Sequence, residues 1–298
     1  MAYFDLSLYL KELYDEDIYE QIIASFNKPK AVCLFLNSLK CKDEDLSKEL
    51  KANEIPFLKL DEYCYKIPFE FKKRLGRLKI YSLGHFYLQN YSSYLCSKNL
   101  NVKAGETVLD MCAAPGGKSI NLANFMGNLG VLSCVEVSKS RFFTLQENLK
   151  NYGVFNAKCF LKDAKSVGRL CPLKFDKILL DAPCSSFAKM GFELQKSQKE
   201  LKSIALLQKK LLHSALQALK VKGELVYSTC TFLREENEEV IENALKSDFK
   251  LELLELNLNN TEHINGFSQD ENIKTKTKRI IPDDFNQGFF IAKLKKLA

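Results

Sequence analysis

The hydrophobic pattern divides the chain into a short first part and a longer part built from repeated units. In residues 5–26 apolar side chains recur every three or four positions, which predicts one or two amphipathic helices. Strand-like, helical and strand-like runs follow at 31–39, 43–50 and 55–60. We therefore expect a small α+β domain over residues 1–75, followed by a second domain over residues 76–298.

From about residue 105 onward, apolar strand-like runs alternate with helix-like stretches. Five such runs lie at 106–110, 130–137, 156–163, 176–181 and 223–228. This order predicts a parallel, doubly wound α/β sheet that binds ligands at the carboxyl ends of its strands. Two later strands at 250–256 and 288–294 bring the predicted sheet to seven strands. The polar residues between them, 257–280, are predicted to form a loop.

Composition narrows the class of protein. With 46% hydrophobic and 27% charged residues, the chain has the make-up of a globular protein. No apolar run reaches the length of a membrane span and the first residues do not resemble a signal peptide, so we expect a cytoplasmic protein with no membrane partner. Ten cysteines without a C-x-x-C pair, beside only three histidines, indicate free thiols and no metal site.

The formal net charge of +7 favours a polyanionic partner. Five basic side chains cluster where the two predicted domains join: Lys72, Lys73, Arg74, Arg77 and Lys79. This cluster is equally compatible with a solvated helix face and with a nucleic-acid contact. No heptad or internal repeat is present, so we expect a monomer.

The loop after the first strand of the α/β part has the composition of a cofactor site. Its small residues and two glycines, Gly116 and Gly117, let the backbone approach a ligand closely, ahead of a helix N-terminus that favours an anionic group. The ending Gly117-Lys118-Ser119 is similar to a nucleoside-triphosphate-binding P-loop. That motif requires a glycine where Cys112 stands, which argues against a triphosphatase.

Three carboxylates end the following strands: Glu136, Asp163 and Asp181. An acid at the end of the second strand suits the two hydroxyl donors of a ribose, as in dinucleotide-binding folds. The alternative is that these side chains only cap the helices that follow. Their shared position around one glycine loop favours the cofactor site.

Two cysteines, Cys184 and Cys230, lie directly after two different strands, at the same carboxyl-terminal edge of the sheet as the glycine loop. Most buried cysteines are small hydrophobic side chains, which suits Cys33, Cys134 and Cys159. That explanation suits thiols at strand ends beside carboxylates less well.

These cysteine segments and the loop DMCAAPGGKS together resemble the RNA (cytosine-5) methyltransferase family, the RsmB/NOP/Sun group. The resemblance extends to the segments 86–95, 206–231 and 279–294, to Arg141, and to the trio Glu236-Asn237-Glu238. It implies a Rossmann-like class I methyltransferase domain after the small α+β domain. It also implies S-adenosylmethionine as cofactor and rRNA or tRNA as partner.

The resemblance also implies roles for single residues. Cys230 corresponds to the nucleophile that adds to C6 of cytosine, and Cys184 to the cysteine that helps to break down the adduct. Lys118 is expected to pair with Asp181, and both are expected to act in catalysis. The expected S-adenosylmethionine site consists of Cys112, Ala113, Ala114, Pro115, Gly116, Gly117, Lys118, Glu136, Asp163 and Asp181.

The chemistry gives an independent reason for such residues. C5 of cytosine is a poor nucleophile until a thiolate adds at C6, and an acid beside N3, for which Asp181 is the candidate, relieves the charge that develops on the ring. A free cysteine has a pKa of about 8.5, so the site has to lower the pKa of Cys230 or deprotonate it on binding. The target base also has to leave its helix to reach the site.

One departure from the family concerns the residues after Cys184. Many relatives have a glycine-bearing turn there, whereas this chain has Ser185-Ser186-Phe187-Ala188. Two other functions remain as alternatives. A non-catalytic RNA-binding or assembly protein with this fold would not need the paired thiols, and a methyltransferase acting on protein or on an exocyclic amine would not need Cys230.

Overall fold

A computed structural model describes residues 3–26, 28–258 and 261–298. Apart from short 3-10 turns, the elements of the first ninety residues are α1 (Leu6–Leu13), α2 (Glu16–Phe26), β1 (Val32–Leu36), α3 (Asp43–Ala52), β2 (Leu58–Lys59), β3 (Cys64–Ile67), α4 (Lys72–Leu75), α5 (Lys79–Ser82) and β4 (Phe86–Gln89).

The later elements form repeated strand–helix units followed by a group of strands. They are α6 (Tyr91–Asn99), β5 (Thr107–Asp110), α7 (Gly117–Phe125), β6 (Val131–Glu136), α8 (Lys139–Asn151), β7 (Ala157–Leu161), α9 (Val167–Leu170), β8 (Phe175–Asp181), α10 (Phe187–Met190), α11 (Gln198–Ala218), β9 (Leu219–Thr229), α12 (Glu238–Leu245), β10 (Leu251–Leu254), β11 (His263–Asn265), α13 (Glu271–Lys276), β12 (Lys278–Ile280) and β13 (Phe289–Lys296).

A small antiparallel sheet follows the two N-terminal helices, with strand order β2-β3-β1-β4. Strand β4 pairs with β1 from Cys33↔Gln89 to Leu36↔Phe86. Residues 86–89 therefore complete a sheet that otherwise belongs to the first 75 residues. The predicted boundary after residue 75 remains a prediction.

A larger mixed sheet has the strand order β11-β12-β13-β9-β8-β5-β6-β7, with β10 beside β13. Strands β5 to β9 are parallel, and β13 runs antiparallel to β9. This confirms the predicted α/β class with a mostly parallel core. The chain runs from β5 outward to β7 and then crosses to β8 on the other side of β5. The switch point, where such folds bind ligands, therefore lies between β5 and β8.

The prediction of a loop at residues 257–280 is wrong. The described part of this segment contains β11, α13 and β12, so the described sheet has nine strands instead of seven. The two extra strands are three residues long, too short to show an alternating pattern. Helix α13 begins where the Asp270 side chain accepts hydrogen bonds from two backbone N–H groups, and Ile273 anchors it in the core.

Helices α1 and α2, predicted from residues 5–26, pack against the loops that follow β8 and β9. Leu10 and Ile22 are fully buried in one cluster with Phe187 and Phe232. The N-terminal helices therefore support the segments that carry the two candidate cysteines. Among the described residues, none of the helices combines the length and the apolar composition that crossing a bilayer requires.

Candidate active site

The glycine-bearing loop after β5 bonds to both neighbouring strands. The N–H of Met111 donates to the carbonyl of Leu179 in β8 at 3.0 Å, and the N–H of Ala113 donates to the carbonyl of Val135 in β6 at 3.0 Å. These two bonds open the loop at the switch point. The predicted cofactor residues 112–118 therefore lie where the topology places a ligand.

The loop then turns into α7 through Gly116, whose φ of +111° lies in the region that favours glycine. A Cβ at this position would lie 3.1 Å from the Leu145 side chain. Arg141 donates to the carbonyl of Ala114, and the Asn148 amide donates to the carbonyl of Pro115 at 2.8 Å. Helix α8 thus fixes the shape of the loop.

Two cavities lie on either side of Cys112, which lines both. The first has a volume of about 170 Å³ and is lined by Tyr87, Leu88, Gln89, Ser93, Asp110, Cys112, Ala113, Ala114, Pro115, Gly117, Lys118 and Asp181. The second has a volume of about 90 Å³ and is lined by Met111, Cys112, Glu136, Val137, Arg141, Asp163, Ala164, Pro183, Leu207 and Leu211. All the predicted cofactor residues except Gly116 line at least one of these cavities, and Gly116 shapes the turn from the loop into α7.

Two of the predicted cofactor-site acids, Glu136 and Asp163, differ in environment. Glu136 is 3% exposed, accepts a hydrogen bond from the Ser138 N–H at 2.8 Å, and lies 3.6 Å from the Arg141 guanidinium. Asp163 is half exposed and accepts a bond from the Lys165 N–H at 3.0 Å, which is the capping role considered above. Both acids line the second cavity, so Asp163 can cap the turn and face this cavity at once, and its role toward the cofactor stays a prediction.

Lys118 and Asp181 form the predicted ion pair, with Nζ and Oδ2 2.7 Å apart. Lys118 also donates to the Ser93 hydroxyl at 3.0 Å, and the Ser228 hydroxyl donates to the other Asp181 oxygen at 2.8 Å. Burial by itself would lower the pKa of Lys118, but the charge and hydrogen bond of Asp181, together with the nearby Cys96 and Asp110, outweigh burial and the pKa is raised. The lysine is therefore held as an ammonium ion beside the first cavity.

The two predicted catalytic thiols are neighbours. Strands β8 and β9 run parallel with Asp181 opposite Ser228, which brings the segments beyond them together. The sulfur atoms of Cys184 and Cys230 are 3.3 Å apart, and both side chains are partly exposed. Hydrogen bonding from Cys184 lowers the pKa of Cys230, while the same contact raises the pKa of Cys184. The pair thus favours Cys230 as the thiolate and Cys184 as the thiol.

A buried acid and a buried amide hold the two cysteine segments together. Glu236 accepts hydrogen bonds from the Ser185 N–H at 2.9 Å and from Gln208 at 2.8 Å. Asn237 accepts from the Thr229 hydroxyl at 2.5 Å and donates to the Thr231 carbonyl at 3.1 Å. The sequence showed these two residues only as part of a family resemblance, and the structure gives them a supporting role.

Sequence reasoning assigned no role to four residues at the site. Tyr87, Gln89 and Ser93 line the first cavity from β4 and α6, within a segment that carried the resemblance but no chemical pattern. Ser186 lies beside both thiols. Its position in the turn that differs from the family was the only available signal.

A doubly wound sheet with a glycine-bearing loop and a strand-end acid at its switch point defines the class of α/β proteins that bind nucleotide-like cofactors. Residues 97–295 match the family described as 16S rRNA methyltransferase RsmB/F. The tRNA (cytosine(49)-C(5))-methyltransferase of Pyrococcus abyssi is 35% identical over 290 residues, covering 93% of this chain and 92% of the relative. The chain therefore belongs to the RsmB/F methyltransferase family.

Other relatives are longer than this chain. The tRNA (cytosine(72)-C(5))-methyltransferase of Pyrococcus horikoshii is 34% identical over 225 residues, which are 75% of this chain and 55% of that protein. The 26S rRNA (cytosine-C(5))-methyltransferase nsun-1 of Caenorhabditis elegans is 32% identical over 93% of this chain and 44% of its own length. This chain thus spans about half the length of these two relatives.

Solved structures show the same architecture over nearly the whole chain. A methyltransferase homolog protein from Pyrococcus horikoshii superposes with a TM-score of 0.80 at 32% identity, covering 97% of both chains. The NSun6 structure from Pyrococcus horikoshii with SFG has a TM-score of 0.85 at 24% identity and covers 98% of both chains. The second likeness establishes the fold only.

Proposed function

We propose that this protein is an S-adenosylmethionine-dependent RNA methyltransferase that modifies C5 of a cytosine in rRNA or tRNA through a covalent cysteine adduct. The observation that carries the proposal is the pair of thiols 3.3 Å apart at the ends of adjacent parallel strands. The hydrogen bond from Cys184 is the main cause of the lowered pKa of Cys230, and the charges of the Lys118–Asp181 pair also act on this thiol. The relatives described above are cytosine-C5 methyltransferases of tRNA or rRNA, which supports methylation at C5.

The residues around the two cavities suit S-adenosylmethionine chemically. The second cavity combines apolar side chains, such as Leu207 and Leu211, with the carboxylates of Glu136 and Asp163. This combination suits a nucleoside, because carboxylates accept the hydroxyl donors of a ribose. The first cavity offers the ammonium of Lys118 and the N-terminus of α7, which favour a carboxylate. When bound, this cofactor supplies the methyl group as an electrophile.

Cys230 starts the reaction as the nucleophile. Its thiolate forms a bond to C6 of cytosine, and the electron pair of the C5–C6 double bond moves toward C5, which makes C5 nucleophilic. The lowered pKa of Cys230 increases the fraction of thiolate near neutral pH.

The Lys118–Asp181 pair acts on the charge that develops at N3. Both Asp181 oxygens already accept hydrogen bonds, one from the Lys118 ammonium and one from the Ser228 hydroxyl. A proton for N3 is therefore best supplied by the pair, with Lys118 as donor and Asp181 as the group that orients it. This refines the assignment of Asp181 alone as the acid.

Cys184 completes the reaction as the base. After C5 has gained its methyl group, Cys184 takes the C5 proton and the C5–C6 double bond re-forms. The C6–sulfur bond breaks with its electrons returning to Cys230, and N3 returns its proton to Lys118. The contact with Cys230 raises the pKa of Cys184 and keeps it a thiol at first. Once the sulfur of Cys230 is bound to carbon, that contact no longer acts, and Cys184 can give its proton to solvent and serve as the base. Each thiol thus has one role, set by its environment.

The basic cluster beside β4 is a candidate contact for the RNA backbone. Lys72, Lys73, Arg74, Arg77 and Lys79 are all exposed on α4, on α5 and between them. Within the described residues only Arg74 in this set has an ion-pair partner, Glu54 at 3.9 Å. The remaining charges are free to neutralise phosphates, so binding through them should weaken with rising salt.

The test uses labelled S-adenosylmethionine and total rRNA and tRNA that lack 5-methylcytosine. Cys230→Ala should abolish both methyl transfer and any protein–RNA adduct on a denaturing gel. Cys184→Ala should accumulate the adduct, because the C5 proton is no longer removed. Cys171→Ala, a thiol change away from the site, is the matched control and should behave as wild type. Normal turnover by Cys230→Ala would exclude the proposed mechanism.

A further inference from the structure

Ser186 occupies a backbone position that favours glycine. It lies two residues after Cys184, with φ +62° and ψ +21°, in the left-handed region. Residues other than glycine are uncommon there and are strained, and such strain is often found at functional sites. We therefore expect the serine side chain, which a glycine would lack, to have a function at this position.

The serine hydroxyl lies between the two thiols. Its Oγ is 3.6 Å from the sulfur of Cys230 and 3.8 Å from the sulfur of Cys184, which are themselves 3.3 Å apart. These distances are within hydrogen-bond range for sulfur. The hydroxyl accepts from the Cys230 thiol and donates a long bond of 3.5 Å to the Cys184 carbonyl. Once the Cys230 thiol has lost its proton, the hydroxyl can rotate to donate to that sulfur.

The charged groups around Cys230 do not replace a neutral hydrogen-bond donor to its thiolate. The titratable groups that act on this thiol come from four elements: Cys184 and Asp181 from β8 and its loop, Lys118 from α7, and Cys96 from α6. Asp181 raises and Lys118 lowers the pKa of Cys230, because their charges are opposite. The Ser186 hydroxyl and the Cys184 thiol are therefore the two groups that can stabilise the thiolate by direct hydrogen bonds.

We propose that Ser186 is a positioning residue that donates a hydrogen bond to the Cys230 thiolate and holds it ready for attack. Once the sulfur of Cys230 is bound to carbon it loses its negative charge, and the same hydroxyl is then free to bond to Cys184. The meaning of this contact for catalysis rests on the proposed function. The contact itself does not, and it can be tested without RNA or cofactor.

The test measures the pH dependence of alkylation at Cys230 by iodoacetamide, read by peptide mass spectrometry. Trypsin separates the two thiols: Cys230 falls in peptide 223–234 and Cys184 in peptide 178–189. Ser186→Gly removes the hydroxyl from a backbone that glycine adopts without strain, and Ser186→Ala removes it with Cβ kept. Leu173→Gly, at an exposed residue with φ +50°, is the control for glycine in a left-handed turn.

Losing a donor to the thiolate should raise the apparent pKa of Cys230 by roughly half a unit to one unit, which slows its alkylation at pH 7 about three- to ten-fold. Both Ser186 variants should show this rise and Leu173→Gly should not. In a Cys184→Ala background the rise should be larger, because Ser186 is then the remaining donor. An unchanged pKa in both Ser186 variants would overturn the proposal, as would a Cys230 thiol that stays unmodified at every pH.

Failure of the proposed function gives a different result. If Cys230→Ala keeps normal methyl transfer while Ser186→Gly still raises the alkylation pKa, the hydrogen bond is present and the covalent mechanism is wrong. If Cys230→Ala is inactive and the alkylation pKa does not move, the mechanism stands and Ser186 has no part in it.

Discussion

A buried ion pair between Arg279 and Glu238 should dominate the stability of the region behind Cys230. The side chains are 2% and 0% exposed, and two bonds of 2.7 and 2.6 Å join them. Arg279 also donates to the Tyr14 hydroxyl at 2.9 Å and to the Phe232 carbonyl at 2.7 Å. The pair therefore connects β12 and α12 to helix α1 and to the loop that follows Cys230.

The expected cost depends on which partner is removed. Arg279→Met leaves the Glu238 carboxylate buried with one remaining donor among the described residues, the Phe267 N–H at 2.9 Å. An uncompensated buried charge of this kind costs about 3–5 kcal/mol, a large part of the roughly 5–15 kcal/mol that stabilises a typical domain. Replacing both residues, as Arg279→Met with Glu238→Leu, removes the charge as well and should cost much less than either single change.

Urea unfolding of the wild type, the two single variants and the double variant measures these costs, and thermal midpoints should fall by roughly 6–20 °C for each single variant. Lys274→Met breaks an exposed pair, with Glu271 at 3.7 Å, and is the control that should leave the midpoint unchanged. A single variant that loses less than about 1 kcal/mol, or a double variant whose loss equals the sum of the singles, would refute the reasoning.

Two further predictions concern the acids at the switch point. Glu136 is 3% exposed, whereas the Asp163 side chain is 49% exposed. Glu136→Gln should therefore weaken S-adenosylhomocysteine binding about ten-fold or more, and Asp163→Asn should weaken it less. Isothermal titration calorimetry measures both affinities, and equal effects would contradict the assignment. Burial raises the pKa of Asp110 from 3.8 to about 6, so the native state binds this proton more tightly than the unfolded chain does. Stability should therefore fall as the pH rises through that window, and Asp110→Asn should remove this fall in urea midpoints measured from pH 4 to pH 7; parallel pH curves would contradict it.

The sequence predicted the elements whose signal is local. The centre of β8, Ile178-Leu179-Leu180, is a continuous apolar run because parallel strands are buried on both faces. The order of strands and helices then placed Cys184, Cys230 and Asp181 at the carboxyl ends of the parallel strands. The pair of Lys118 with Asp181 followed from the family resemblance, and the structure confirms it.

The features that the sequence did not predict depend on contacts between distant segments. Strand β4 has only four residues and pairs with β1 about fifty residues earlier, so no local pattern marks it as a wall of the first cavity. The short strands β11 and β12 are defined by pairing at the edge of β13. The left-handed backbone of Ser186 is likewise a property of the folded turn, since serine itself does not favour it.

The position of β4 links the small sheet to the pocket proposed for the methyl donor. The strand hydrogen-bonds within the small sheet, yet its side chains Tyr87 and Gln89 form part of the pocket proposed for the methyl donor. Any partner that displaces the small sheet must therefore change donor affinity, and linkage requires the donor to change partner affinity by the same factor. At equilibrium the order in which donor and partner bind makes no difference, so the coupling free energy can be measured from the affinity of either one.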